Sequence, residues 1–139
     1  MPVKRDALSR TIEKWLSAWD RHDLDEVMSL FGEDAVFETW TGMKVVGREN
    51  IRKAWAEWFE TGGFRFISEA IVIDEQEQTV VFPWIYEGPA KCFEGKIEKR
   101  RGIDLLRFAD GLIAEKVTWT KTSLEVEGRR ITLTSGERR

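Results

Sequence analysis

Apolar residues at Leu8, Ile12, Trp15, Leu16 and Trp19 recur at the spacing that gathers side chains on one face of a helix. The register breaks at Arg21-His22-Asp23. Asp23 is suited to cap a second, shorter helix carrying Leu24, Val27, Met28 and Phe31, with Glu26 three residues on as in a capping box. Gly32-Glu33-Asp34 should end that helix, and Ala35 to Trp40 reads as a short strand. After a turn at residues 41–44, Val45-Val46 offers a short pairing strand. A third helix follows, with Ile51, Ala54, Trp55, Trp58 and Phe59 on one side and Gly62-Gly63 as its stop.

The second half alternates with a period of two. Strands are expected over 64–74, 78–87, 93–108 and 112–121, with a hairpin turn at Ala109-Asp110-Gly111 and a last hairpin over 124–134. Helices first and antiparallel strands afterwards give an α+β fold: three N-terminal helices packed in a strongly curved mixed or antiparallel sheet. Val81 and Ile85 alternate with Phe82, Trp84 and Tyr86, so both faces of that strand are apolar. A face not covered by helices calls for another cover, and a homodimer through the outer sheet face is expected.

Composition narrows the picture. A chain of 139 residues with 42% apolar side chains fits one domain, with a core over about 6–122 and a C-terminal strand or tail over 123–139. A net charge of −3 argues against nucleic acid as a partner. One cysteine, Cys92, forms no internal disulfide, and one histidine, His22, rules out a multi-imidazole metal centre; neither a metal nor a cofactor is expected. No apolar run is long enough to span a membrane and the first residues do not form a secretory signal, so a cytoplasmic location is expected. The unusual entry is aromatic: seven Trp and eight Phe against one Tyr, each indole needing an apolar wall and a partner for its N–H.

Four phrases in order carry a family resemblance. They are Trp19-Asp20-Arg21-His22-Asp23-Leu24-Asp25, residues 30–38, residues 46–51, and Ile103-Asp104-Leu105-Leu106-Arg107-Phe108 with the turn that follows. Together they resemble the SnoaL-like family of the nuclear transport factor 2-like superfamily, relatives of ketosteroid isomerases and polyketide cyclases. The resemblance implies a cone-shaped half-barrel around a pocket open at one end. Its walls would be Trp15, Trp19, Phe37, Trp55, Phe59, Phe82, Trp84, Tyr86 and Trp119, and its ligand a small apolar or aromatic molecule. Trp40 and Trp58 are assigned to the rim or the subunit contact.

Asp104 is the sharpest chemical candidate, a carboxylate in an otherwise apolar strand, on the same side as Leu106 and Phe108. The resemblance makes it an acid/base for a cofactor-free isomerase, cyclase or dehydratase, with Tyr86 as a candidate partner. Glu38 and Glu98 are the other carboxylates considered. The competing reading is an ion pair with Arg100, Arg101 or Lys121, which would leave a binding or dimerisation module. Departures from the isomerase pattern are plain: Trp15 stands at the tyrosine position and Thr39 at the general base. Neither the epoxide hydrolase's Asp-Arg-Asp set nor the histidines of scytalone dehydratase are matched. His22, Arg48 and the run Glu98-Lys99-Arg100-Arg101 are read as structural, the last as an exposed strand edge.

Overall fold

The computed structural model describes residues 1–90 and 93–132. The expectations for Cys92 and for the tail beyond Thr132 fall outside the described residues. Helices α1 (Arg5–Asp20) and α2 (Leu24–Ser29) come first, then strands β1 (Phe31–Glu38) and β2 (Lys44–Val46), then helix α3 (Arg48–Thr61). Strands β3 (Arg65–Ser68), β4 (Val72–Asp74), β5 (Thr79–Pro89), β6 (Ile97–Ala109), β7 (Leu112–Thr120), β8 (Ser123–Val126) and β9 (Arg129–Thr132) follow. The sheet runs β2-β1-β7-β6-β5-β3, with β4 also on β5 and the β8–β9 hairpin on β6. Among the described residues only β1 and β7 pair in parallel, so the sheet is mixed and curls around the three helices as a half-barrel. Among the described residues no helix is long and apolar enough to cross a membrane.

Local chemistry explains most boundaries. Asp23 caps α2 by accepting from the Glu26 amide at 3.1 Å. That helix stops before Phe31, which the sequence pattern had placed on it. Phe31 is fully buried and starts β1, in register with Ile113, and the sheet takes up Gly32-Glu33-Asp34. The expected strand over 64–74 is two strands. Glu69 donates to the Pro83 carbonyl, and proline offers no N–H to answer it, so pairing lapses until Val72 meets Val81. Pro83 thus turns its missing donor away from the long β5–β6 ladder.

Helix α1 is fastened at both ends. The Gln78 side chain both accepts from Val3 N–H and donates to Val3 C=O, each at 3.0 Å. At the other end His22 Nε2 lies 2.7 Å from the Phe64 carbonyl oxygen, and its ring stacks on Phe64. His22 is thus a structural tie between the α1–α2 connection and the start of β3. Arg48 donates to the Phe31 carbonyl at 3.3 Å, joining α3 to β1 through a backbone oxygen.

The inner face of the β5–β6 ladder pairs Phe82 with Asp104, Trp84 with Gly102, Tyr86 with Arg100 and Gly88 with Glu98. Trp84 lies flat across Gly102, where a Cβ would overlap the indole and the Trp119 carbonyl. Glycine is required there by close approach. Gly32, by contrast, leaves ordinary space, 3.6 Å from the Ile113 carbonyl oxygen. Gly102→Ala is therefore expected to lower unfolding free energy by about 1–3 kcal/mol through overpacking. Gly32→Ala should stay within about 0.5 kcal/mol. Urea unfolding of both variants checks the contrast.

Candidate functional site

A cavity of about 400 Å³ opens between α1 and the sheet. Trp15, Leu16, Trp19 and Asp20 of α1 form one wall, and Phe82, Trp84 and Asp104 of β5 and β6 form the floor. Arg65, Phe66, Ile67 and Ser68 of β3 close the remaining side. Asp20, Arg65 and Ile67 are exposed and make the rim, where Arg65 pairs with Glu87 at 3.3 Å. The interior is aromatic. Trp15 packs edge-on to Trp19 and Phe82, and Trp84 meets Phe66 at 90°.

Asp104 is 6% exposed and faces this cavity. Its Oδ1 accepts from Thr118 Oγ1 at 2.8 Å, and its Oδ2 lies 3.3 Å from Lys116 Nζ. Lys116 also donates to Thr118 Oγ1 at 2.8 Å, closing a triangle. The ammonium sits over the faces of Phe37 at 4.5 Å and Trp55 at 5.5 Å, so two ring quadrupoles support its charge. Burial pushes the Lys116 ammonium below its ordinary 10.5, and the Asp104 charge pulls it back up. The competing reading for Asp104, an ion pair with Arg100, Arg101 or Lys121, is met by an ion pair with a different partner, Lys116.

A β-bulge explains why Lys116 was missed. Arg107 pairs with Glu115 and Phe108 with Ile113, leaving Ala114 as an extra residue in β7. Beyond that point Lys116, Thr118 and Thr120 share register with Leu106, Asp104 and Gly102 on the inner face. The same step turns Trp119 outward beside Ile103, where it is 50% exposed. Its expected place in the cavity wall is corrected accordingly.

Other candidates fall elsewhere. Trp15, Trp19, Phe82 and Trp84 line the cavity. Phe37, Trp55 and Phe59 do not; they form the packing behind it, Trp55 between Trp19 and Phe37, Phe59 against Trp19. Tyr86 lies four residues beyond Phe82, the cross-strand partner of Asp104, or about 13 Å along the strand. It is therefore no direct partner of that carboxylate. Trp58 packs inside, stacked on Phe64 and bonded to Tyr86, and Trp40 joins a small second cluster with Leu124 and Val126. Neither is a rim residue. Glu38 shares register with Val117, on the outer side. Glu98 and Arg100 are buried and paired at 2.9 Å, with Arg100 over the Trp40 ring. The reading of residues 98–101 as an exposed edge holds only for Lys99 and Arg101. Leu16, Asp20, Arg65, Phe66, Ile67 and Ser68 of the lining were not anticipated, although the alternation of β3 marks Phe66.

Three indole N–H groups, those of Trp15, Trp19 and Trp84, are buried without a hydrogen-bond partner among the described residues. All three rings wall the cavity. A buried donor left unpaired costs about 1–3 kcal/mol, a cost that the packing of these three rings has to offset. Among the described residues no group of three or more His, Cys, Asp or Glu side chains is arranged to hold a metal.

Burial among rings raises the Tyr86 phenol above its ordinary 10.0, against the lowering effect of the hydrogen bond from Trp58; Glu98 raises it further and Arg100 lowers it. The native state therefore retains the phenolic proton to higher pH than the unfolded chain. That contribution to stability is fully present below pH 10.0 and is lost as pH rises through the raised native value. Tyr86 is the only tyrosine, so tyrosinate absorbance reports it alone. The native midpoint is expected above 10 and should return to about 10 in denaturant.

Comparison with known proteins follows the same lines. The family model described as "SnoaL-like domain" matches residues 12–116. No curated protein matches. Among solved structures, a protein of unknown function with a cystatin-like fold from Methylobium petroleophilum PM1 superposes with a TM-score of 0.69 at 22% identity, covering 96% of this chain and 97% of its own. SalBIII, an epoxide hydrolase/cyclase-like enzyme of pyran ring formation in the polyether salinomycin, gives a TM-score of 0.75 at 13% identity over 85% and 93% of the two chains. A putative polyketide cyclase from Xanthomonas campestris pv. campestris gives 0.67 at 17% identity over 84% and 92%. At these identities the solved structures speak for the fold. With the helices, the curved mixed sheet and the family model in agreement, the chain belongs to the SnoaL-like family.

Proposed function

We propose that the cavity takes up a small apolar molecule and that Asp104 moves a proton on it, in a cofactor-free isomerisation, cyclisation or dehydration. The observation that carries this reading is the position of Asp104: a carboxylate on the cavity wall, charge-balanced from behind by Lys116, with aromatic rings opposite. Such a carboxylate can accept a proton from a carbon or hydroxyl beside a carbonyl and return it to a neighbouring atom. An isomerisation of this kind needs no other reactant. The likeness in fold to SalBIII and the putative cyclase supports the reaction class without assigning it.

A second reading is a binding module without turnover. It is favoured by the engagement of both carboxylate oxygens, one by Thr118 and one by Lys116. Screening cyclic carbonyl and hydroxyl compounds for turnover, with tryptophan fluorescence as the binding readout, separates the two. The enzyme reading expects turnover to fall at least about 100-fold in Asp104→Asn, the scale of a lost acid/base. The companion Asp104→Asn/Lys116→Met, which removes both charges, should be equally inactive while folded. Fluorescence quenching that survives both variants, with no turnover by the wild-type protein, would establish the binder.

We further propose that two copies pair through the outer face of the sheet. Val81, Pro83, Ile85, Ile103 and Leu105 are half-buried there, Val117 is buried and Trp119 is half exposed. Light scattering on the eluting protein should give twice the 16.2 kDa chain mass, and Trp119→Glu should shift the species to one copy. A wild-type mass of one chain would refute the pairing.

A further inference from the structure

We infer that Thr118 is a positioning residue that keeps the pair of Lys116 and Asp104 loose, so that one oxygen of the Asp104 carboxylate stays open to take a proton from an occupant of the cavity. This rests on the reading of Asp104 as the proton-moving group and assigns that group its support. Three distances carry it. Thr118 Oγ1 lies 2.8 Å from Asp104 Oδ1 and 2.8 Å from Lys116 Nζ, whereas Lys116 Nζ lies 3.3 Å from Asp104 Oδ2. Charge-assisted bonds between an ammonium and a carboxylate ordinarily close to about 2.7–2.9 Å. Here the short bond of the ammonium goes to a neutral hydroxyl, and the charged oxygen is left with the longer contact.

The direction of each bond follows from what each group can do. An ammonium only donates and a carboxylate only accepts. Thr118 therefore accepts from Lys116, and its single hydrogen is committed to Asp104 Oδ1. Oδ2 has neither a hydroxyl nor a short ammonium bond among the described residues, which leaves it the oxygen with a lone pair to spare.

Strand geometry gives the hydroxyl this control. Thr118 stands directly opposite Asp104 in the β6–β7 ladder, while Lys116 pairs with Leu106 and reaches the carboxylate along a diagonal. From behind, the faces of Phe37 and Trp55 attract the ammonium at 4.5 and 5.5 Å. Held between rings and hydroxyl, Lys116 balances the charge of Asp104 without capping it. Valine in place of Thr118 would fill the same space and let the ammonium close onto the carboxylate. A short direct bond would then have to break at every proton transfer.

The test compares the full chain with Thr118→Val and Thr118→Ser. Its first readout needs no reaction: the nitrogen-15 resonance of the Lys116 side chain, followed with pH. Burial lowers the ammonium and the Asp104 charge raises it, so a tightened pair holds the proton to higher pH. Thr118→Val is expected to raise the Lys116 midpoint, and Thr118→Ser, which keeps the hydroxyl, to leave it in place. The second readout is proton abstraction from a nitrobenzisoxazole, a small flat probe. Asp104 Oδ2 takes the ring C–H proton, the C–H electron pair enters the new nitrile, the N–O bond breaks, and the oxygen leaves as a coloured phenolate; water then takes the proton from Asp104. In Thr118→Val kcat should fall at least about tenfold with KM unchanged, and in Thr118→Ser it should return to within about twofold of wild type. Thr118→Cys, whose thiol bonds weakly, should shift both readouts in the direction of valine and serves in its place if Thr118→Val does not fold. A Lys116 midpoint unchanged or lowered in Thr118→Val overturns the spacing role. A raised midpoint with kcat unchanged overturns its bearing on proton transfer. A wild-type protein that binds the probe without cleaving it overturns Asp104 as the base, while the midpoint still decides the spacing.

Discussion

A carboxylate inside an aromatic chamber is the constraint around which this half-barrel is organised. Asp104 is buried on the inner face of the longest strand, and an isolated charge there would be prohibitively expensive. Lys116, bridged by Thr118, removes that difficulty, and the lysine in turn rests on the faces of Phe37 and Trp55. Removing one member of such a pair typically costs about 3–5 kcal/mol, since the survivor is left charged and alone. The two charges therefore depend on each other, and the rings behind them depend on both.

The backbone makes this arrangement available through a single irregularity. The extra residue at Ala114 shifts the parity of β7, bringing Lys116 and Thr118 to the inner face and sending Trp119 to the outer one. Without it, a tryptophan would face Asp104's neighbourhood and the lysine would face solvent. Gly102 plays the complementary part on β6. By lacking a side chain it lets Trp84 lie against the strand and separate Asp104 from the second buried pair, Glu98 with Arg100. One inner surface thus holds two charge pairs among the described residues, and of their four members Asp104 alone lines the cavity.

Much of the fold was legible in the chain because helical spacing and strand alternation are local signals. The three helices, the Asp23 cap, the hairpin at Asp110-Gly111 and the inward set Phe82, Trp84, Tyr86 and Asp104 follow from pattern alone. What escaped is non-local. The entry of Phe31 into the sheet depends on Ile113, 82 positions along the chain, and the break between β3 and β4 depends on a proline in β5. The partner of Asp104 depends on a bulge that alternation does not announce. Tyr86 shares the correct face with Asp104, yet sits too far along it to act with it. Parity names a side of the sheet; it does not say which residues on that side meet.

The resulting picture is a SnoaL-like scaffold whose cavity is walled by Trp15, Trp19 and Trp84. Its chemistry reduces to the charge state of one pair, and the most direct measurement is the nitrogen-15 resonance of the Lys116 side chain near neutral pH. The account predicts a protected ammonium, with cross-peaks to Phe37, Trp55 and Thr118 and an Asp104 carboxyl carbon at the shift of a carboxylate. A neutral amine beside a protonated Asp104, or a lysine nitrogen exchanging freely with solvent, would contradict it.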